Sequence, residues 1–263
     1  MKVRTLFIPA WLLGLALAGC RNDAPNPSGE PPNSKRVAAG RETEIAQPPA
    51  EPIEPKAPTV IGVNTRSIDF DGKLAGVRVA ILATDGFEEA ELIDPRQAYA
   101  DQGASTVIMS TKSGEIQGWK HGDKADRVKV DMTIEDADPE QFDALVLPGG
   151  VVNGDRLRLE PKVALFVKTF AQSGKPIAAI CHGLWSLADA DVIRGRTVTS
   201  CPTLKTDLKN AGAKWVDQEV VVDRNFVTSQ KPEDIPAYNA KAIALFAKRR
   251  AAIGGGPAPD EQP

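Results

Sequence analysis

Histidine is nearly missing from this chain: 263 residues hold two, His121 and His182. Chemistry that needs an imidazole therefore has two candidates, and a His-rich metal centre is excluded. The three cysteines, Cys20, Cys181 and Cys201, lie far apart without C-x-x-C spacing, which argues against zinc, and no metal or other cofactor is expected. There is no basic block and no basic stripe interleaved with aromatics; 32 Lys+Arg against 35 Asp+Glu leave a formal charge of -3. Nucleic acid is not an expected partner. No internal repeat is present. What remains, 42% hydrophobic and 25% charged residues, suits one good-sized core with appendages.

The appendages stand at the two ends. Lys2 and Arg4 precede an apolar stretch from Leu6 to Ala16, too short to span a bilayer comfortably, which closes on Leu17-Ala18-Gly19-Cys20. Such an ending is similar to a bacterial lipobox, which implies cleavage before Cys20 and acylation of its sulfur; an ordinary cleaved signal with an incidental cysteine is the alternative. Arg21 after the cysteine points, by the same resemblance, to an outer-membrane anchor facing the periplasm. From there to about Asp71 the chain is rich in Pro, Glu, Asn, Ser and Ala, with nine prolines between Pro25 and Pro58. It has too little apolar surface to offset its ordering entropy and reads as a disordered tether. The expected organisation is a signal over 1–19, a lipidated cysteine and tether over 20–72, an α/β domain over 73–250 and a loose tail over 251–263.

Within 73–250, strand and helix patterns alternate. Val77 to Leu82, Ala144 to Leu147 and Pro176 to Ile180 are apolar on both faces, and Glu88 to Gln102, Lys162 to Gln172 and Ile235 to Lys248 carry helical periodicity. This predicts a doubly wound, mostly parallel sheet covered by helices on both sides. In such sheets ligands sit beyond the carboxyl ends of the strands. The loops after Leu82, Leu147 and Ile180 should meet there.

The third of those loops carries the most informative residues, Ala178-Ala179-Ile180-Cys181-His182-Gly183. A strand turning sharply into a helix between small residues exposes one side chain to the helix-start N–H groups, and here that side chain is a thiol. A buried cysteine closing a βα unit is the plain alternative. The first loop supplies Asp85, Glu88 and Glu89. A carboxyl group pressed against a thiolate should have a raised pKa, and Glu88 is the expected partner; its alternative is a first-turn glutamate that complements the helix dipole. Gly149 and Gly150 of the second loop let backbone N–H groups approach an oxyanion.

Phe87-Glu88, Asp143 to Gly150, Gly174-Lys175-Pro176, Ile180 to Gly183, Arg194-Gly195-Arg196, Asn210 to Ala213 and Trp215-Val216-Asp217 together resemble, in order and spacing, the PfpI/ThiJ family of the class I glutamine-amidotransferase-like superfamily. The likeness covers about residues 76 to 248. It implies a flavodoxin-like fold, Cys181 as nucleophile, Glu88 as the carboxyl touching it, and His182 as the adjoining imidazole. It implies Asp155 as the acid that orients His182, within or across subunits of a dimer or hexamer. The insertion Val151-Val152-Asn153-Gly154 lengthens that loop, Leu184 stands where proline is common, and Arg224 where glycine is usual. His121 reads as a loop residue. Cys201 stands near the nucleophile where the family tends to carry an aromatic residue, so it is either a resolving thiol for Cys181 or a packing side chain. The resemblance further implies a peptidase, glyoxalase or deglycase acting on peptides or small carbonyl compounds; a non-catalytic redox sensor or chaperone of the stress response is the alternative.

Overall fold

The computed structural model describes residues 72–252, all within the compact unit Val63–Pro263. Cys20, the signal, the Pro-rich stretch up to position 71 and the tail from 253 lie outside the described residues. The chain opens with β1 (Arg78–Leu82), the two-residue β2 (Phe87–Glu88) and helix α1 (Glu89–Asp101). Next come β3 (Ser105–Ser110), a hairpin of β4 (Glu115–Lys120) and β5 (Asp123–Lys129), and β6 (Met132–Thr133). β7 (Ala144–Leu147) leads into α2 (Val151–Leu157) and α3 (Pro161–Gln172), and β8 (Ile177–Ile180) leads into α4 (Leu184–Asp189). The rest comprises β9 (Thr197–Val198), α5 (Lys205–Asn210), β10 (Lys214–Trp215), β11 (Val220–Asp223), β12 (Phe226–Ser229) and α6 (Ile235–Ala252).

Seven strands form one sheet in the order β11-β12-β8-β7-β1-β3-β6, parallel except for β11. Its central strands are buried throughout from Val79 to Leu82, Ala144 to Leu147 and Ile177 to Ile180. Alternate residues go to opposite faces of a strand. Ala80, Leu82, Leu145 and Leu147 join Phe166, Phe170 and Leu187 on one side, while Val79, Ile81, Val146 and Ile180 join Tyr99, Tyr238 and Phe246 on the other. The fold is thus the doubly wound α/β architecture that apolar, two-faced strands require.

Three elements depart from expectation. The β4–β5 hairpin carries DKADRVK on its outer strand, a sequence with almost no apolar alternation, and is held by pairing with β2. Its turn contains His121 at φ +51 and Gly122 at φ +103, so His121 is a turn residue as its neighbours suggested. The stretch after Pro148-Gly149-Gly150 is helix α2 rather than a long loop. Finally, α6 continues to Ala252, two residues into the segment expected to be tail. Near the amino end of β1 the two ends of the described segment are tied in: the Leu74 N–H donates to the Gln102 carbonyl (2.8 Å) and Arg250 Nη1 to the Lys73 carbonyl (3.5 Å). No helix among the described residues is long and apolar enough to cross a membrane.

Candidate active site

The carboxyl ends of β1, β7 and β8 are adjacent in the sheet and bring the three loops together. At the end of β8 the backbone turns so sharply that Cys181 takes φ +55, a left-handed conformation costing a non-glycine residue on the order of 1–3 kcal/mol. Gly183 completes the elbow, because a Cβ there would lie 2.1 Å from the Leu147 carbonyl oxygen. The consequence is a half-buried thiol at the mouth of the sheet, with the backbone N–H of His182 directed to its sulfur.

The carboxyl against this thiol belongs to Glu91, not Glu88. Glu91, Pro95 and Tyr99 recur at helical spacing on the buried side of α1, which carries the Glu91 side chain inward to zero exposure. Oε2 accepts a hydrogen bond from the Gly149 N–H (2.8 Å), and Oε1 is buried without a hydrogen-bond partner among the described residues. Burial is the main reason its pKa is pushed up to about 8, and the Glu88 charge adds to the effect. Glu88 itself precedes the first turn of α1. Its backbone N–H donates to the Gly149 carbonyl (3.2 Å), while the residue lines a separate groove of about 590 Å³ with Glu89, His121 and Arg127, away from Cys181.

Gly149 has a steric role. A Cβ there would stand 2.3 Å from Glu91 Oε2 and 2.7 Å from Cys181 Cβ, so only glycine lets the two functional side chains meet. Its N–H is committed to Glu91 and is not a free oxyanion donor, which corrects the expectation for that residue. Gly150, at φ +92, makes no backbone N–H hydrogen bond among the described residues and is left to serve an oxyanion. Asn153 on α2 was missed altogether. Fully buried, it accepts from the Thr84 N–H (2.7 Å) and donates to the Pro148 and Gly149 carbonyls (3.0 Å each), stapling the first loop to the second.

His182 Nδ1 lies 3.2 Å from Cys181 Sγ, and its ring meets Trp185 edge-on at 4.9 Å. Asp155 is not brought to it within this chain. The turn of α2 that buries Asn153, Gly154 and Leu157 points Asp155 to solvent, and no hydrogen bond joins it to His182. Instead Cys201 stands beside the imidazole, its sulfur 3.6 Å from Nδ1 and 3.7 Å from Nε2. The two sulfurs lie within 4.8 Å of each other. Hydrogen bonding from Cys181 pulls Cys201 down to about 5, although burial opposes this, and His182 and Thr203 assist. Interaction with Cys201, followed by burial and the Glu91 charge, holds the Cys181 thiol up. Leu184 is fully buried in the core, and Arg224 occupies φ +56 at the β11–β12 turn, which explains the glycine usual there.

A left-handed cysteine after a parallel strand, a buried glutamate and a Gly-Gly loop are the geometry on which the comparison turns. Residues 77–245 match the model of the DJ-1/PfpI family. The chain belongs to the DJ-1/PfpI family. Among curated relatives, a Bacillus subtilis protein, YraA, named as a candidate cysteine protease, is 41% identical over 64% of this chain and 98% of its own. "Deglycase TK1284" of Thermococcus kodakarensis is 43% identical over 65% and 99%, and "Protein/nucleic acid deglycase 2" of Escherichia coli 41% identical over 64% and 97%. A ThiJ/PfpI domain protein from Brachyspira murdochii shares the fold at TM-score 0.61 and 22% identity, over 66% of this chain and 98% of that one. A two-domain Anabaena variabilis protein with DJ-1/ThiJ/PfpI-like and ferritin-like domains has TM-score 0.58 and 31% identity, over 71% of this chain and 52% of that one. The DJ-1/PfpI match spans β1 to α6.

Proposed function

We propose that this member of the DJ-1/PfpI family is a cysteine-nucleophile enzyme of the deglycase or glyoxalase type, acting on small aldehydes and their adducts. The observation that carries the reading is a strained, half-buried Cys181 thiol flanked by the fully buried Glu91 carboxyl, whose pKa burial pushes up, and by the His182 and Gly150 N–H groups. The Cys181 proton passes to the Cys201 thiolate as the Cys181 sulfur adds to an aldehyde carbon, and the negative oxygen that forms is bound by the His182 and Gly150 N–H groups. Glu91 gives that oxygen its proton and, as a carboxylate, becomes the base for the adjoining C–H. With methylglyoxal, moving the C1 hydrogen to C2 and the hydroxyl proton from the C1 oxygen to the C2 oxygen gives a thioester, which water opens with His182 as base. The sum is methylglyoxal plus water to lactate plus a proton, with no oxidant or reductant.

Among the described residues no carboxylate hydrogen-bonds His182, which favours this chemistry over peptide hydrolysis, because expelling an amine needs an oriented imidazole acid. Methylglyoxal, glyoxal, a glycated peptide and a fluorogenic peptide, offered in turn to wild type and Cys181→Ala, test the reading. Lactate from methylglyoxal with wild type alone is expected. Equal rates in both proteins would overturn it, and holdase activity untouched by Cys181→Ala would favour the chaperone.

The location rests on residues 1–72 alone. Their lipobox-like Leu17-Ala18-Gly19-Cys20 and Pro-rich stretch support a lipid-anchored enzyme of the bacterial cell envelope, outer membrane facing the periplasm, on a long tether. A homo-oligomer, dimer or hexamer, is supported by Val151 and Val152, which α2 leaves 56% and 41% exposed next to the site.

A further inference from the structure

Sequence spacing gave no reason to expect a metal, yet the fold convenes three donors from two separate segments. Cys181 Sγ, an imidazole nitrogen of His182 and Cys201 Sγ all lie within 4.8 Å of one another. Cys181 and His182 come from the end of β8, and Cys201 from the segment between β9 and α5. Zinc binds thiolate at about 2.3 Å and imidazole at about 2.0–2.1 Å with tetrahedral angles, which sets neighbouring donors roughly 3.5–3.8 Å apart. The two sulfurs stand 3.2 Å and 3.6 Å from Nδ1 and within 4.8 Å of each other, so shifts of a few tenths of an ångström to about 1 Å bring the three donors to that spacing. Cys201 Sγ faces Nδ1 and Nε2 almost equally, at 3.6 and 3.7 Å, and a turn of the ring aims one lone pair between the sulfurs.

We propose that Cys181, His182 and Cys201 form a binding site for a zinc-class ion, a closed-shell cation that prefers sulfur and nitrogen in tetrahedral array. Binding releases the two thiol protons, joins both sulfurs and one imidazole nitrogen to the ion, and leaves a fourth position for water. Occupancy ties up the lone pair with which Cys181 would attack a carbonyl. The ion is therefore a reversible block on the nucleophile, not a cofactor of the reaction. The inference needs the three side chains and not the aldehyde chemistry, so its test uses no substrate.

Full-length protein, reduced and stripped with a chelator, is titrated with Co²⁺ and then Zn²⁺. One Co²⁺ per chain is expected, with sulfur-to-cobalt charge-transfer absorption and the visible bands of a tetrahedral site, both lost when Zn²⁺ displaces it. Cys20→Ser keeps these signals. Cys201→Ser and Cys201→Ala each lose the two-thiolate intensity while retaining the far-ultraviolet circular dichroism of wild type, and His182→Ala shifts the visible bands. Absence of stoichiometric Co²⁺ binding, with both thiols titrating as free, would overturn the proposal. So would an unchanged spectrum in both Cys201 variants, or a stripped pair that binds nothing because it has closed to a disulfide under reducing conditions.

Discussion

Glu91 keeps a fully buried carboxyl between the Gly149 amide and the Cys181 thiol, and Glu88, three residues earlier, lines a different groove. If Glu91 is the proton carrier, Glu91→Gln lowers aldehyde turnover by on the order of 100-fold or more, since an amide can bond but not shuttle a proton. Glu88→Gln leaves turnover near wild type, which steady-state kinetics on the two variants decides. Stability gives a second readout. A carboxyl raised from 4.5 to about 8 on folding holds a proton that the unfolded chain releases, so its contribution is full below pH 4.5 and is lost as pH rises towards 8. Chelator-treated wild type should therefore lose melting temperature across that window relative to Glu91→Gln. The sequence did hold a signal for Glu91: it heads the row Glu91, Pro95 and Tyr99 at spacings of four, the buried stripe of α1. Position within the Phe-Glu-Glu-Ala-Glu run hid it, because Glu88 lies nearer the strand end but stands before the helix turns inward.

Strands with two buried faces and the elbow after β8 were legible because burial imposes an apolar run and a sharp turn imposes small residues. Elements whose stabilisation comes from elsewhere were not. β5 is charged along its length and exists because β4 pairs with both it and β2; α2 follows two glycines and contains Asn153-Gly154, a turn signal in isolation. In α2 the asparagine spends its amide on other loops, and Gly154 leaves room for His182 and Trp185, whose atoms would lie 2.9–3.3 Å from an added Cβ. Asn153→Ala is thus expected to destabilise the domain by about 1–3 kcal/mol, the cost of orphaning the Thr84 N–H and two carbonyls. Chemical denaturation measures it. An unchanged midpoint would mean that water replaces the side chain.

For the whole molecule the anchoring proposal makes the simplest demand. Cys20→Ser removes the only sulfur that a lipobox-like sequence would acylate, and the described domain has no helix able to hold a bilayer. Cell fractionation should find the variant soluble in the periplasm or retained as uncleaved precursor. A processed Cys20→Ser protein that still sediments with membranes would count against lipidation. Lys73 and Arg250 meet near the amino end of β1, whereas Cys181 opens at the carboxyl end of β8, on the opposite pole of the same sheet. Within the described domain the nucleophile and both ends of the ordered segment therefore stand at opposite edges of one sheet, so a change at either end leaves the thiol's surroundings untouched.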